Sequence, residues 1–95
     1  MTNNRKFNLG RLVWTRGVNE KVAVDTPFSI FVLNSLRRHA SGDWGNLSDE
    51  DKLENDFSLD KELRLLSSYE QGDWKIWIIT EADRSATTIL FPSEY

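Results

Sequence analysis

The sequence predicts one α+β domain, in which a strand and two helices precede a three-stranded antiparallel meander and the helices pack on one face of a four-stranded sheet. Three observations support this. A short alternating segment lies near the start of the chain, apolar residues of helical period run from 28 to 39, and the apolar period changes to two after Lys61. A chain of 95 residues has room for a single domain. We expect it to occupy residues 1–95, with residues 1–8 as a flexible N-terminal segment.

The first part of the chain contains the first strand and the first helix. Alternation of apolar and polar side chains predicts the strand over residues 9–16, LGRLVWTR, followed by a loop over residues 17–25. The first helix is expected to begin at Thr26 and Pro27, because a threonine hydroxyl can cap free amides and proline fits the first turn. Gly42 is its expected end.

The second helix is predicted to begin at Ser48, whose hydroxyl would cap it. Carboxylates fill its first turn, where the helix dipole favours anions: Asp49, Glu50 and Asp51. Leu53 and Phe57 lie four residues apart and are its main apolar residues. We therefore expect a surface helix that buries a narrow stripe through these two side chains.

The last part of the chain is predicted to form the meander, with strands over residues 63–69, 74–80 and 86–91 and a turn over residues 70–73. The strand over residues 74–80 is apolar on both faces, so we expect it to be central and covered on both sides. Two helices can cover one face. The second face would be covered by the N-terminal segment, by Trp44 or by a second subunit, which makes a homodimer one expected assembly.

Composition excludes several kinds of site. The chain has no cysteine, which excludes disulfides, thiolate nucleophiles and Cys-type zinc sites. It has one histidine, no glycine-rich phosphate loop and no EF-hand loop, so we predict no cofactor and no metal, although carboxylates and water could still hold a magnesium-type ion. No segment approaches the roughly 18 consecutive apolar residues of a membrane span. A soluble cytoplasmic protein with no membrane partner is predicted.

Charge is distributed unevenly along the chain, although the net charge is −3. Residues 1–42 carry seven basic and two acidic groups, whereas residues 43–73 carry three basic and ten acidic groups. Mixed surfaces are common and need no function. The functional interpretations are an acidic face that binds a basic partner and a basic face that binds nucleic acid. The acidic interaction face would consist of Asp49, Glu50, Asp51 and Glu54, and the basic face of Arg5, Lys6, Arg11, Arg16, Arg37 and Arg38.

Six residues form a candidate polar site: His39, Asp43, Trp44, Glu81, Asp83 and Arg84. A histidine base needs an orienting carboxylate within hydrogen-bond reach, and loops carry function more often than cores do. In the structural alternatives, His39 bonds the loop after its helix, Asp43 bonds turn amides and Trp44 closes the core. The hairpin tip would then be locked by bonds between its carboxylates and Arg84. The six residues form one site only if they converge in space.

Three stretches of the chain resemble a known family: RHASGDWGNLSDEDKLENDFSL, RLLSSY and IWIITEADRSATTILFPSEY. The family is small and is often labelled in bacterial genomes as "plasmid-related protein" or "type I restriction endonuclease subunit M". The resemblance runs from about residue 9 to residue 95 and is most specific over residues 76–95, whereas residues 17–26 depart from the pattern. A methylating subunit would need a longer cofactor-binding fold and an Asn- or Asp-Pro-Pro-aromatic motif, in which neither Pro27 nor Pro92 lies. The resemblance therefore implies a setting on mobile elements and assigns no catalytic residue.

The leading functional hypothesis is a non-enzymatic interaction module that binds a macromolecular partner, in the first place a protein, through the acidic second helix and the hairpin tip. Its role would lie in plasmid maintenance or in defence antagonism. One alternative is a small enzyme or ligand binder that uses the candidate polar site. Another is a DNA-binding protein that uses the basic N-terminal region, which makes nucleic acid the second candidate partner.

Overall fold

The computed structural model of the protein, which describes residues 5–95, contains three α-helices and one four-stranded sheet. In chain order the elements are β1 (Arg11–Trp14), α1 (Arg16–Val24), α2 (Thr26–Ala40), α3 (Asp49–Asp60), β2 (Leu65–Gln71), β3 (Trp74–Thr80), β4 (Ala86–Leu90) and a 3₁₀ turn (Pro92–Glu94). The predicted α+β class is confirmed. None of the helices within residues 5–95 is long and apolar enough to cross a membrane.

The sheet has the strand order β1-β4-β3-β2. β2, β3 and β4 pair antiparallel in the order of the chain and form the predicted meander. β1 pairs with β4 in parallel, so the chain crosses from one edge of the sheet to the other between β1 and β2. The three helices make this crossing. The two edge strands are therefore β1 and β2.

A helix occupies the region that the sequence predicts as the first loop. α1 covers Arg16–Val24, and the strand before it is shortened to Arg11–Trp14. The Thr15 hydroxyl caps α1 by accepting the Val18 amide at 3.4 Å, and Val18 is fully buried in the core. The loop prediction is wrong because α1 contains a glycine and three valines, residues of low helix propensity, and is stabilised by tertiary packing.

The cap of α2 differs from the one that the sequence indicates. Asp25, and not Thr26, is the N-cap residue, and its carboxylate accepts the Phe28 amide at 3.1 Å. A carboxylate at this position bonds a free amide and also complements the positive end of the helix dipole. At the other end, α2 stops at Ala40, and Gly42 follows with a left-handed φ of 83°. The predicted end of this helix is confirmed.

The hydrophobic core lies between the sheet and the first two helices. Its buried members are Val18, Phe28, Phe31, Val32, Tyr69, Ile76, Ile78 and Ile89. Trp74 packs at the margin, with its ring centroid 5.4 Å from that of Phe28 and 5.6 Å from that of Phe31. Large aromatic side chains bury much area each, which helps a short chain to form an adequate core.

The second face of the sheet is covered in part by Tyr95. Trp77 alternates with core residues along β3 and so lies on this second face, where its ring centroid is 5.6 Å from that of Tyr95. From the sequence, this cover is expected from the N-terminal segment, from Trp44 or from a second subunit. Phe7 and Trp44 instead pack against His39, which lies on the helix side.

α3 packs against the edge strand β2 with polar side chains turned inward. Ser48 caps the helix as predicted, because its hydroxyl accepts a first-turn amide at 3.1 Å. The buried residues of α3 are Asn55 and Ser58, whereas Leu53 and Phe57 are 69% and 57% exposed. The predicted buried stripe of Leu53 and Phe57 is therefore wrong. The strand edge offers backbone groups, which only polar side chains can bond.

Candidate functional site

His39, near the end of α2, lies at the centre of a row of buried hydroxyl groups. Its Nδ1 lies 2.5 Å from the Ser67 hydroxyl, and its Nε2 lies 2.8 Å from the Thr80 hydroxyl. The Thr80 hydroxyl lies 2.7 Å from that of Thr87, which donates to the Leu9 carbonyl at 2.6 Å. The row joins α2 to β2, β3 and β4 and to the segment before β1.

The end of this row determines where each proton lies. A carbonyl oxygen only accepts, so the single hydroxyl proton of Thr87 points to Leu9. Thr80 then donates to Thr87, and the His39 Nε2–H donates to Thr80. A neutral imidazole has one N–H, so Nδ1 accepts the Ser67 proton. All the polar side chains in the row are satisfied when His39 is neutral.

The surroundings of His39 keep it neutral. Burial, and secondly the cation of Arg84, lower the His39 pKa from 6.5 to about 3. A serine beside a histidine can act as a nucleophile with its base, but only where a substrate reaches the serine. Ser67 and His39 are both fully buried. Their bond fastens α2 to β2, and neither group is open to a substrate.

Two aromatic rings pack over His39, and one cation lies beyond them. The Phe7 ring meets His39 edge-on with centroids 5.3 Å apart, and the Trp44 ring does so at 5.8 Å. The Arg84 guanidinium lies 5.6 Å from the Phe7 centroid, and its buried Nη2 has no hydrogen-bond partner within the described chain. Phe7 therefore lies between the hairpin tip and the end of α2.

The segment before β1 is fastened to the end of α2. The Lys6 amide donates to the Ala40 carbonyl at 2.8 Å, and the Leu9 carbonyl accepts the Thr87 hydroxyl. Leu9 is itself buried. The flexible segment predicted over residues 1–8 falls partly outside the described residues, which begin at residue 5.

Asp43 pairs with Arg38 and not with His39. Arg38 Nε donates to one carboxylate oxygen at 2.8 Å, and Arg38 Nη2 donates to the other at 3.2 Å. That second oxygen also accepts the Gly45 amide at 3.0 Å, which is the bond to a turn amide that the sequence suggests. The bond from Arg38 is the main reason why the Asp43 pKa is lowered below its ordinary value of 3.8. The Tyr69 hydroxyl holds the same loop by donating to the Asp43 carbonyl at 2.6 Å.

The hairpin tip is locked by bonds to backbone groups. The Asp83 carboxylate accepts the Ser85 amide at 2.9 Å. Arg84 has a left-handed φ of 61°, and its Nη1 donates to the Leu63 carbonyl at 2.7 Å and the Glu81 carbonyl at 3.1 Å. The guanidinium thus bonds carbonyl oxygens, whereas the sequence suggests bonds to the carboxylates of the tip. The hydrogen bonds of the His39 ring go to Ser67 and Thr80, so the tip acts on His39 only through the charge of Arg84.

The six candidate residues divide into two groups. His39, Trp44 and Arg84 approach one another around Phe7, whereas Asp43, Glu81 and Asp83 bond their own loops or neighbouring side chains. Within residues 5–95, no group of three or more His, Asp or Glu side chains could hold a metal ion. The arrangement closes the core at one end, where Phe7 lies between the end of α2 and the hairpin tip.

The hydroxyls around His39 are the residues that sequence reasoning misses. Ser67 pairs with Ile78 across the sheet, and Thr80 follows Ile78 at the same parity, so both hydroxyls fall on the buried face. Thr87 shares this face with Ile89. A hydroxyl at a buried strand position needs a hydrogen-bond partner, and this is the signal that could have connected all three with the single histidine.

The outer edge of β2 is closed in part by α3. Alternate residues of an edge strand point their amide and carbonyl groups away from the sheet, and in β2 these are Leu66, Ser68 and Glu70. The Asn55 Oδ1 accepts the Leu66 amide at 3.3 Å, and its Nδ2 donates to the Leu66 carbonyl. Asp56 accepts the Trp44 indole N–H at 2.8 Å, which fixes α3 to the preceding loop.

The loop between α2 and α3 closes the rest of this edge. The Ser68 amide donates to the Trp44 carbonyl at 3.4 Å, and the Ser68 carbonyl accepts the Asn46 amide at 2.7 Å. The Asn46 side chain accepts the Glu70 amide at 3.1 Å. Gly45 has a φ of 74°, and a Cβ there would collide with the Ser68 carbonyl oxygen. Only glycine lets the loop and the strand approach so closely.

The outward face of α3 is both acidic and apolar. Leu53 and Phe57 lie one turn apart on the exposed face, and Glu50 and Glu54 flank them at the same spacing. The residues of the predicted acidic face, Asp49, Glu50, Asp51 and Glu54, are all exposed and form no ion pair within residues 5–95. Their charge therefore faces solvent next to two large apolar side chains.

The basic residues of the N-terminal region are spread over several elements, and some are paired. Arg16 lies 3.0 Å from Glu20, and Arg38 lies 2.8 Å from Asp43. Arg11 lies in β1, whereas the two neighbouring arginines at 37 and 38 lie at the end of α2. The proposed basic face is therefore not presented by any one described element.

Comparisons of the chain with protein-family models, with curated proteins and with solved structures find no match. The resemblance to a small mobile-element family stays a prediction. The compartment, the partner and the function also stay predictions.

Proposed function

We propose that the protein is a non-enzymatic interaction module that binds a protein partner through the outward face of α3. The observation that carries this proposal is the inverted polarity of the helix, which buries Asn55 and Ser58 and exposes Leu53 and Phe57. Large apolar side chains that are exposed next to one another are typical of interaction sites. The exposed residues of α3 include six carboxylates, so the surface is distinct from an ordinary apolar patch.

The chemistry of this face defines the partner. Leu53 and Phe57 are spaced as anchors of a helix that binds in an apolar groove. The carboxylates around them favour a groove with a basic rim, because complementary charges speed association and select partners. We therefore propose a partner protein whose groove combines apolar and basic side chains.

The attachment of α3 favours binding without a large loss of conformational entropy. Asn55 bonds both edge groups of Leu66, and Asp56 bonds the Trp44 indole. Ser48 caps the first turn. A surface held in its binding conformation loses less entropy on association than a flexible segment. The cellular setting that we propose follows the resemblance: plasmid maintenance or defence antagonism on a mobile element.

The residues of the candidate polar site are placed to stabilise the fold and are poorly placed to catalyse a reaction. Both ring nitrogens of His39 are bonded to buried hydroxyls, and the carboxylate of Asp43 is bonded to Arg38. This arrangement supports an interaction module over a small enzyme that uses these residues. The pairing of Arg16 and Arg38 with acidic side chains likewise gives no support to DNA binding by the N-terminal region.

Affinity capture from a bacterial lysate, followed by affinity measurements on each recovered protein, tests the proposal. We expect Leu53→Ser/Phe57→Ser to weaken binding by about tenfold or more, because anchor side chains dominate the binding energy. Asp49→Asn/Glu50→Gln/Asp51→Asn should weaken it less and reduce its salt dependence. The matched control is Glu70→Gln/Asp73→Asn, which removes exposed carboxylates at the turn between β2 and β3 and should leave binding unchanged.

The same experiment can contradict the proposal. A set of recovered proteins that is identical for wild type and for Leu53→Ser/Phe57→Ser, with equal affinities, would show that the face of α3 is not the binding surface. Circular dichroism of each variant verifies that the fold is retained, which the exposure of both side chains leads us to expect.

A further inference from the structure

Among the residues that the structure describes, the outer edge of β1 has no partner. The Arg11 amide donates at 2.9 Å to the carbonyl of Ser85, the residue just before β4, and the Thr15 amide donates at 3.1 Å to the Ile89 carbonyl in β4. The odd-numbered residues of this segment therefore bond the sheet. Leu12 and Trp14 therefore point their amide and carbonyl groups away from it. Within residues 5–95, no loop or side chain bonds these outward groups. β1 thus presents two donors and two acceptors to an incoming strand.

An apolar groove lies beside this open edge. Its volume is about 380 Å³, and its walls include Leu12, Trp14, Val22, Val32, Leu33 and Leu36. All the side chains of β1 are exposed, with Leu12, Val13 and Trp14 at 54%, 41% and 43%. Exposed backbone groups next to exposed apolar side chains are the combination by which edge strands pair with other strands.

We propose that a second copy of the chain occupies this edge, with the two β1 strands antiparallel about a two-fold axis at Val13. With Val13 opposite its counterpart, Leu12 of each copy lies opposite Trp14 of the other. Both of these residues point their peptide groups outward, so each opposed pair exchanges two hydrogen bonds. The two four-stranded sheets then become one continuous sheet of eight strands.

The side chains and charges of β1 fit this pairing. Leu12 and Trp14 line the groove, so in the dimer they pack on each other beside α2 on both sides of the axis. Arg11 lies opposite Thr15, and the two copies of Arg11 lie roughly 13 Å apart along the strands. No like charges are opposed. A second copy fits because the register is self-complementary: each Leu12 meets a Trp14, so one strand supplies both halves of the apolar contact beside the groove.

This dimer does not depend on the function proposed for α3. β1 and β2 are opposite edges of the sheet, and α3 packs on β2. The face of α3 therefore remains exposed at both ends of the dimer. Loss of dimerisation and loss of partner binding would arise from different substitutions.

Charged substitutions at the axis test the proposal, with sedimentation or light scattering as the measurement. Wild type should have twice the 11.0 kDa mass of the chain at high micromolar concentration. Val13→Lys and Val13→Glu should each weaken self-association by about tenfold or more, because each places two like charges face to face. An equal mixture of the two variants should restore the dimer as a mixed species. Leu53→Lys on α3 is the control and should self-associate as wild type does.

A second variant tests the backbone contribution. Leu12→Pro removes an outward donor and keeps the amides of Arg11 and Val13 that face β4, and proline is tolerated at such edge positions. It should be folded and monomeric. A monomeric wild type, a dimer that is indifferent to all three variants, or a mixture of Val13→Lys and Val13→Glu that does not associate would overturn the proposal.

Discussion

The two edges of the sheet differ in whether their outward backbone groups have hydrogen-bond partners among residues 5–95. At β2, the outward amides of Leu66, Ser68 and Glu70 all have partners from α3 or from the loop before it. At β1, the outward groups of Leu12 and Trp14 have none among residues 5–95. An open edge is a liability, and proteins usually shorten it, charge it or cover it. This difference between the two edges, as seen over residues 5–95, is the basis for the proposed pairing of β1 with a second copy of the chain.

The largest effect on stability is expected from Gly45→Ala, which disrupts the contact between the loop and β2 at the closed edge. The residue has a positive φ, and a Cβ would collide with the Ser68 carbonyl oxygen and the Tyr69 ring. We expect a loss of roughly 3 kcal/mol in the free energy of unfolding, measured with urea. Gly72→Ala is the control, because Gly72 also has a positive φ but has open space around it. It should cost only about 1 kcal/mol. Equal losses for the two variants would show that loop and strand are not in close contact.

The next effect is a pH dependence from His39, which joins α2 to the strands beneath the closed edge. Above pH 6.5 the residue is neutral in the folded and in the unfolded chain, so it contributes no pH dependence. As the pH falls below 6.5, His39 binds a proton in the unfolded chain but stays neutral in the folded chain down to about pH 3. The free energy of unfolding therefore decreases over this range. Between pH 6.5 and about pH 5 we expect wild type to lose about 2 kcal/mol.

His39→Gln is the matched variant for this pH dependence. Its amide can donate to Thr80 and accept from Ser67, and it does not titrate. This slope should therefore be absent in His39→Gln. The carboxyl groups whose pKa values are lowered by folding change the stability only near and below their ordinary pKa values, which are 3.8 for Asp43 and Asp83 and 4.5 for Glu94. The same slope in both proteins would contradict a buried, neutral His39.

A smaller loss is expected from Asn55→Ala. The substitution removes both bonds to Leu66 and leaves part of the β2 edge to solvent. We expect a cost of between about 1 and 2 kcal/mol, because water can reach the freed groups at an edge. Asn34→Ala, at an exposed position of α2, should change stability by no more than about 0.5 kcal/mol. If both substitutions had the same small effect, α3 would not be what closes this edge.

The smallest effect on stability is expected from Leu53→Ser/Phe57→Ser. Both side chains are exposed, so their removal should change the free energy of unfolding by no more than about 1 kcal/mol in total. A loss of several kcal/mol would place these side chains in a core and would remove the basis for the interaction face. Urea denaturation of Leu53→Ser/Phe57→Ser and of Asn55→Ala under the same conditions compares the contributions of the exposed and buried faces of α3 to stability.

The sequence predicts those elements of the fold that have a clear apolar period or a recognisable capping residue. The meander, the long helix α2 with its end before Gly42, and the Ser48 cap of α3 are all confirmed. α1 was missed because its valines and glycine disfavour a helix in isolation. The orientation of α3 was missed because the edge of β2, which selects Asn55 over Leu53, is created only by the tertiary fold.

In the candidate site, too, the sequence does not predict contacts that only the tertiary fold creates. The sequence identifies His39 and Trp44, which do meet. It does not reveal that hydroxyls from two strands bond the imidazole and that a third hydroxyl, on β4, continues the row. Those contacts depend on strand register. By spacing, Asp43 is a reasonable carboxylate partner for His39, yet it is Arg38, one residue farther from it along the chain, that bonds it with two nitrogens.

Amide hydrogen exchange at the two edges, followed over a range of protein concentrations, tests the central comparison most directly. The Leu66 and Ser68 amides should be protected at every concentration, because their partners lie in the same chain. The Leu12 and Trp14 amides should exchange freely in dilute protein and become protected as the concentration rises. Protection of Leu12 and Trp14 that is independent of concentration, or absent throughout, would contradict an open edge that a second copy closes.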